Sequence, residues 1–311
     1  MSTKLDGSKG IIFPDNSEQA SAAFIGFRNK LINGAIQHWQ RGTVISVGGS
    51  DTYTADRWGA LAAGNNFTVS RVDHSWGTSL SMTGAVSNTL CDIFQRIESI
   101  NTFGMAGKTV SVSFKGYRTD AGNIGWEIHS ANAKDVFSTK TLIASGSVSV
   151  TAGTYEYKSF NCQIPANYAG TGLELRFKFG ALVAGKQAAL AEVQLEVSDK
   201  PTEFERRPEG YELALCQRYC RATTVDAIGA WEAGNSVFVC SPIYFQTMRA
   251  APTLTGITSY TMVGVSATAA GFFSDTTDHR LVIASSNSNG QTAGVARRVY
   301  GNQLGFLSAE L

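Results

Sequence analysis

Strict alternation of apolar and polar residues is the feature that most limits how this chain folds. Val110, Val112 and Phe114 alternate with Ser111, Ser113 and Lys115. Leu173, Leu175, Phe177 and Phe179 alternate with Glu174, Arg176 and Lys178, and Val193, Leu195 and Val197 with Gln194 and Glu196. A period of two puts each apolar set on one strand face, the half-buried pattern of an antiparallel sheet. Weaker strands fall at Trp126/Ile128, Val148/Val150 and Tyr155/Tyr157, between turns rich in Gly and Asn. Short strands, turn signals and few helical stripes predict a sandwich of jelly-roll type. Leu90–Ile97 fits a helical stripe or a strand; a strand followed by one helical turn before Gly107 is the favoured reading.

Pro201 and Pro208 bracket a charged connector, Thr202 to Arg207, which marks a boundary. Beyond it Pro208 to Arg221 reads as a helix, with Glu209 and Glu212 in its first turn and Tyr211, Leu215 and Tyr219 as its stripe. Further strands are expected at Val237–Cys240, Leu254–Thr258, Tyr260–Val265 and Leu281–Ser285. The expected fold class is mainly β. An N-terminal arm (1–30) precedes a jelly-roll β-sandwich (31–207), and a short linking helix leads into a second small β-domain (208–311). The apolar residues of the arm, Ile11 to Phe27, are too few for a core of their own, so the arm is expected to pack on a neighbour.

Lys plus Arg number 26 and Asp plus Glu 25, a net charge of +1. That balance argues against a nucleic-acid partner. No run approaches the roughly 18 apolar residues of a membrane helix, and Met1–Gly10 lacks the apolar centre of a secretory signal. The five cysteines, Cys91, Cys162, Cys216, Cys220 and Cys240, are scattered singly and read as small core residues of a reducing compartment.

Catalytic and cofactor signals are sparse. Gly107-Lys108-Thr109 lacks the upstream Gly of a phosphate loop, since Thr102 stands there, and leads into a strand rather than a helix. Neither HExxH nor GxSxG occurs, and Asp278-His279 has no serine placed beside it by any motif. No cofactor and no enzymatic activity are expected, although carboxylate pairs on separate strands are invisible to spacing. What remains is the set of tryptophans. Trp126 shares a face with Ile124 and Ile128 and reads as core; Trp58 reads as structural. Trp76, among Asp73, His74, Ser75 and Gly77, has small polar neighbours. Trp76, His74 and Trp231 are the candidate ligand-binding residues, suited to sugar because a ring stacks on a sugar's apolar face.

A series of short motifs then stands in order. Leu31-Ile32-Asn33-Gly34, Trp39-Gln40-Arg41-Gly42 and Tyr53-Thr54-Ala55-Asp56-Arg57-Trp58 open it. Gln95-Arg96-Ile97-Glu98, Val193-Gln194-Leu195-Glu196, Thr202 to Pro208 and Met248-Arg249-Ala250-Ala251-Pro252 follow. The series resembles a domain common in bacteriophage tail fibres, and Gly10 to Asp15 resembles the segment that precedes it, with Asn16-Ser17 in place of the usual Gly-Thr. The resemblance implies a carbohydrate-binding-module-like jelly roll, a C-terminal β-domain and a homotrimer on the virion. It implies adsorption to host surface polysaccharide, with the arm joined to other tail or baseplate proteins. The competing expectations are an architectural fibre or collar that never touches the host, and a glycan depolymerase.

Overall fold

The computed structural model describes residues 27–223, 247–253 and 306–311 with their side chains, and elsewhere the backbone of short strands. Two six-stranded antiparallel sheets dominate it. The first runs, in spatial order, Glu156–Gln163, Thr109–Arg118, Gln187–Glu196, Gly77–Thr83, Phe67–His74 and Val44–Val47. The second runs Val136–Val150, Gly122–Ala133, Leu173–Lys178, Asn88–Ile97, Gly59–Gly64 and Thr52–Tyr53. Strands adjacent in space are mostly not adjacent in sequence, so the chain crosses repeatedly between the sheets, as a jelly roll requires.

The alternating apolar residues meet between the sheets. Val110, Val112, Phe114, Leu190, Val193 and Leu195 face Ile124, Ile128, Leu173, Leu175 and Phe177 in one buried core. Phe114 and Phe177 meet edge to face at 4.8 Å across the gap, and Trp126 stacks on Phe160 at 3.8 Å. Trp126 is therefore core, as its spacing predicts. Asn88–Ile97 is a strand, followed before Gly107 by the helical turn Ser99–Thr102 and a 3-10 turn, Phe103–Met105.

Two expectations need correction. The helix spans Glu209–Gln217 rather than reaching Arg221; Tyr219 lies beyond it, and Cys220–Thr223 is already a strand paired with Gly305–Ser308. Its buried positions are Glu212 and Cys216, while Tyr211 stays 47% exposed. The face turns this way because Glu212 is held by Arg207 at 3.1 Å and accepts the backbone N–H of Asn33. The second correction concerns Glu174 and Arg176, which the alternation places on a solvated face. Both are buried, because Asp51 and Leu311 close over that face by bonding Arg96.

Outside the side-chain-described residues, Lys4–Asp6, Gly10–Ile12 and Glu18–Gln19 form a small antiparallel sheet. Asp226–Trp231, Val237–Cys240 and Arg280–Ser286 belong to a seven-stranded one. Strands occur where Val237–Cys240 and Leu281–Ser285 are expected, and Thr253–Thr255 and Thr261–Met262 fall on part of the other two expected ranges, whose remaining residues lie outside the described ones. Cys91, Cys216 and Cys220 are buried and unpaired, and Cys162 is half-buried. Burial pushes the Cys91 and Cys220 thiols up to about 12, so neither is a nucleophile near neutral pH. Cys240 lies outside the residues described with side chains.

Candidate functional site

The outer face of the first sheet carries small hydroxyl side chains, because the residues opposite the core positions are Ser79, Ser81, Ser111, Ser113 and Ser159. The connector 198–206 crosses one end of this face. Thr202 Oγ1 donates to Glu196 Oε2 at 2.8 Å, the Glu205 N–H donates to Gln194 Oε1 at 2.8 Å, and Arg206 reaches the carbonyl of Trp76 at 3.0 Å.

Where the connector reaches Trp76, aromatic side chains gather. His74 ends one strand, Gly77 begins the next, and Ser75-Trp76 is the two-residue connection between them. His74 and Trp76 stack in parallel at 4.5 Å. Tyr155 lies edge-on to both, at 5.0 and 5.3 Å, and stacks on Tyr117 at 4.8 Å. Hydrogen bonds fix the cluster: Ser79 Oγ lies 2.9 Å from His74 Nε2 and 3.0 Å from the Tyr155 hydroxyl. Burial raises the Tyr155 phenol above its ordinary range, so it stays protonated and able to donate. Tyr157, paired in register with Lys115, is 52% exposed.

Charge enters through a bulge. The register shifts between Ser113 and Lys115, and Glu192 opposite takes a left-handed φ of 47°. The extra residue swings Glu192 outward, where it pairs with Lys115 at 2.8 Å and with Arg206. Lys115 Nζ sits 4.1 Å from the Trp76 ring centroid.

The structure thus brings His74 and Trp76 together. Trp76 is half-buried and already contacted by His74 and Lys115, so it is no bare platform. The indole's large apolar area is covered by whatever its neighbours supply. The side chain of Trp231 and the Asp278-His279 pair lie outside the described residues. Spacing could not reveal Tyr117, Tyr155, Lys115, Glu192 or Arg206, which come from separate strands and the connector. The only local signal was the Tyr155/Tyr157 alternation. Among the described residues no group of His, Cys, Asp and Glu is arranged to hold a metal ion.

No family model and no curated protein matches the sequence. Solved structures do. A putative sugar-binding protein from Bacteroides thetaiotaomicron aligns over 55% of this chain and 100% of its own, at 10% identity and a TM-score of 0.39. A CBM4 module aligns over 53% of this chain and 98% of its own, at 15% identity and 0.35. The enzymatically active domain of tailspike protein 4 from bacteriophage CBA120 aligns over 55% of this chain but 21% of its own, at 15% identity and 0.33. With TM-scores this low, what the chain binds is a question for its own residues.

Proposed function

We propose that this protein is a non-enzymatic virion fibre of the phage tail-fibre kind that attaches to host surface glycan. The observation that carries this reading is the aromatic end of the first sheet: four rings and one further exposed tyrosine, standing over serines that are buried beneath them. Neutral hydroxyls bond to Ser and Tyr oxygens, and a sugar's apolar face covers a ring. The ordered motif series from Leu31 to Pro252 supports the tail-fibre assignment. On this reading residues 1–30 attach and oligomerise the chain, 31–207 bind glycan and 208–311 complete the fibre head. A sugar reaches Trp76 where the Lys115 ammonium moves aside.

Binding of labelled protein to host cells with and without their surface polysaccharide tests the assignment. Binding that is indifferent to the polysaccharide would leave an architectural fibre instead, and release of reducing ends would make the protein a depolymerase. Within the positive outcome, Trp76→Ala is expected to weaken binding about tenfold, near 1.4 kcal/mol, while His74→Ala, which removes the stacking partner and its bond to Ser79 but leaves the indole, weakens it less. Loss of half the thermal stability together with the binding would instead mark the cluster as structural.

Recognition through this face rests on rings and neutral groups, with the Lys115 and Arg206 charges shared by one carboxylate. Raising salt from about 0.05 to 0.5 M therefore changes binding through it little, although the Debye length shrinks severalfold. A collapse of affinity across that range counts against ring stacking. A homotrimer is part of the same proposal, because cyclic closure buries apolar arms between identical neighbours. Sedimentation of a stable monomer at micromolar concentration removes it. Three linked sites raise a weak single-site affinity by about 10²-fold or more through avidity.

A further inference from the structure

A second concavity lies between the helix Glu209–Gln217 and the sandwich, remote in sequence from the Trp76 hairpin. It is a cleft of about 240 Å³. That exceeds the roughly 150 Å³ cavity known to take a benzene ring, so one six-membered ring with substituents fits. Four cationic residues line it, Lys30, Arg57, Arg96 and Arg207, against one carboxylate, Glu98.

Two of those guanidiniums are incompletely used. Arg57 gives its Nη groups to Glu310 and to the carbonyl of Arg96, and Arg207 gives its Nη groups to Glu212, Leu31 and Asn29. The Nε–H of each is buried with no acceptor. Leaving such donors unpaired costs about 1–3 kcal/mol each, so a small shift of either side chain that brought its Nε–H to an acceptor would be favourable. The acidic partners of these arginines, Glu310, Glu212, Glu174 and Asp51, lie behind them and do not line the cleft, so the lining itself carries a cationic excess. One wall is aromatic: Phe27 and Tyr211 lie 4.8 Å apart, with Arg207 over Phe27.

We propose that this cleft takes one carboxylate-bearing sugar residue, such as a uronic acid at a branch or chain end, its carboxylate toward Arg57 and Arg207 and its ring against Tyr211. A guanidinium matches a carboxylate in shape as well as charge, and an aromatic wall has no use for a bare inorganic anion. The inference shares its ligand class with the glycan reading but not its site, so the two fail separately.

The test is calorimetric titration of the full chain with galacturonate, glucuronate and N-acetylneuraminate, against galactose and acetate. At least one acidic sugar is expected to bind about tenfold more tightly than either control. Arg207→Gln should abolish that preference. Because Arg207 also holds Glu212, Tyr211→Ala at its exposed position is the second variant, expected to weaken the acidic sugar about threefold with an unchanged circular dichroism spectrum. Trp76→Ala should leave this binding intact. Acidic sugars no better than acetate, or no binding below about 10 mM, would mean water alone fills the cleft and overturns the proposal. Loss of acidic-sugar binding with Trp76→Ala would assign it to the first site and overturn it equally.

Discussion

Glu174→Ala is expected to destabilise the protein by about 3–5 kcal/mol, the cost of breaking a buried ionic network by removing one member. Glu174 is fully buried on the outer side of the second sheet, although its neighbours in sequence alternate as if that side were wet. Its carboxylate meets Arg96 at 2.9 Å, Lys140 at 2.8 Å and Arg176 at 2.9 Å. Alanine would strand two guanidiniums that are each more than nine-tenths buried, with Asp92 and Asp51 left to share them. Burial pushes the Glu174 carboxyl upward, but the charges of Arg176 and Lys140 and the hydrogen bonds from Lys140 and Arg96 overcome it and hold it below the ordinary range. A depressed carboxyl stabilises the fold above its unfolded value of about 4.3, and that stability is lost as pH falls through the folded value. Urea midpoints measured from neutral to acid pH should therefore converge for wild type and Glu174→Gln at the acid end. Parallel curves throughout would show that the network contributes nothing.

The second large effect is expected from Trp58→Ala, at about 3–5 kcal/mol for a large-to-small change in a packed core. Trp58 is fully buried, its Nε1–H donates to the carbonyl of Asn33 at 2.9 Å, and its backbone closes a turn through Thr54 and Ala55. Asn33 is itself a junction. It takes a left-handed φ of 55°, its Oδ1 accepts from the N–H groups of Gln37 and His38, and its Nδ2 donates to the carbonyls of His38 and Asp56. Losing the indole leaves a cavity and removes one of the two hydrogen bonds that the Asn33 carbonyl accepts, the other coming from the Ile36 N–H. A variant that melts like wild type would contradict this packing role, and thermal denaturation read by circular dichroism decides it.

The motifs that carry the tail-fibre resemblance take part in this junction, which explains why they were legible without naming a ligand. Gln40 bonds Asp56 and the carbonyl of Cys220, Arg57 bonds Glu310, and Arg207 clasps Glu212. They are fasteners. The sandwich was legible because one strand face is apolar wherever it meets the core, and Val110, Val112 and Phe114 obey that rule without exception. The opposite face was misread at Glu174 and Arg176 because what covers it comes from Asp51 and Leu311, far away in sequence. The candidate site was half legible. Trp76 and His74 sit on one hairpin, so their neighbours betray them. Glu192 joins only because a bulge turns it outward, and Tyr117 and Tyr155 join only across strands, so alternation within one strand says nothing of either.

The pairing of Cys220–Thr223 with Gly305–Ser308, and of that strand in turn with Thr253–Thr255, has a consequence for how the chain comes apart. Residues 306–311 reach back into the sandwich, where Glu310 meets Arg41 at 3.2 Å and Arg57, while the Ala309 N–H donates to the carbonyl of Tyr219 and the Arg249 N–H to that of Arg218. Backbone amides in this seam should exchange with deuterium as slowly as those of Val112 or Leu175, through global opening alone. A single proteolytic nick between 224 and 246 should then leave two fragments that migrate together until denatured, held as tightly as if the chain were whole.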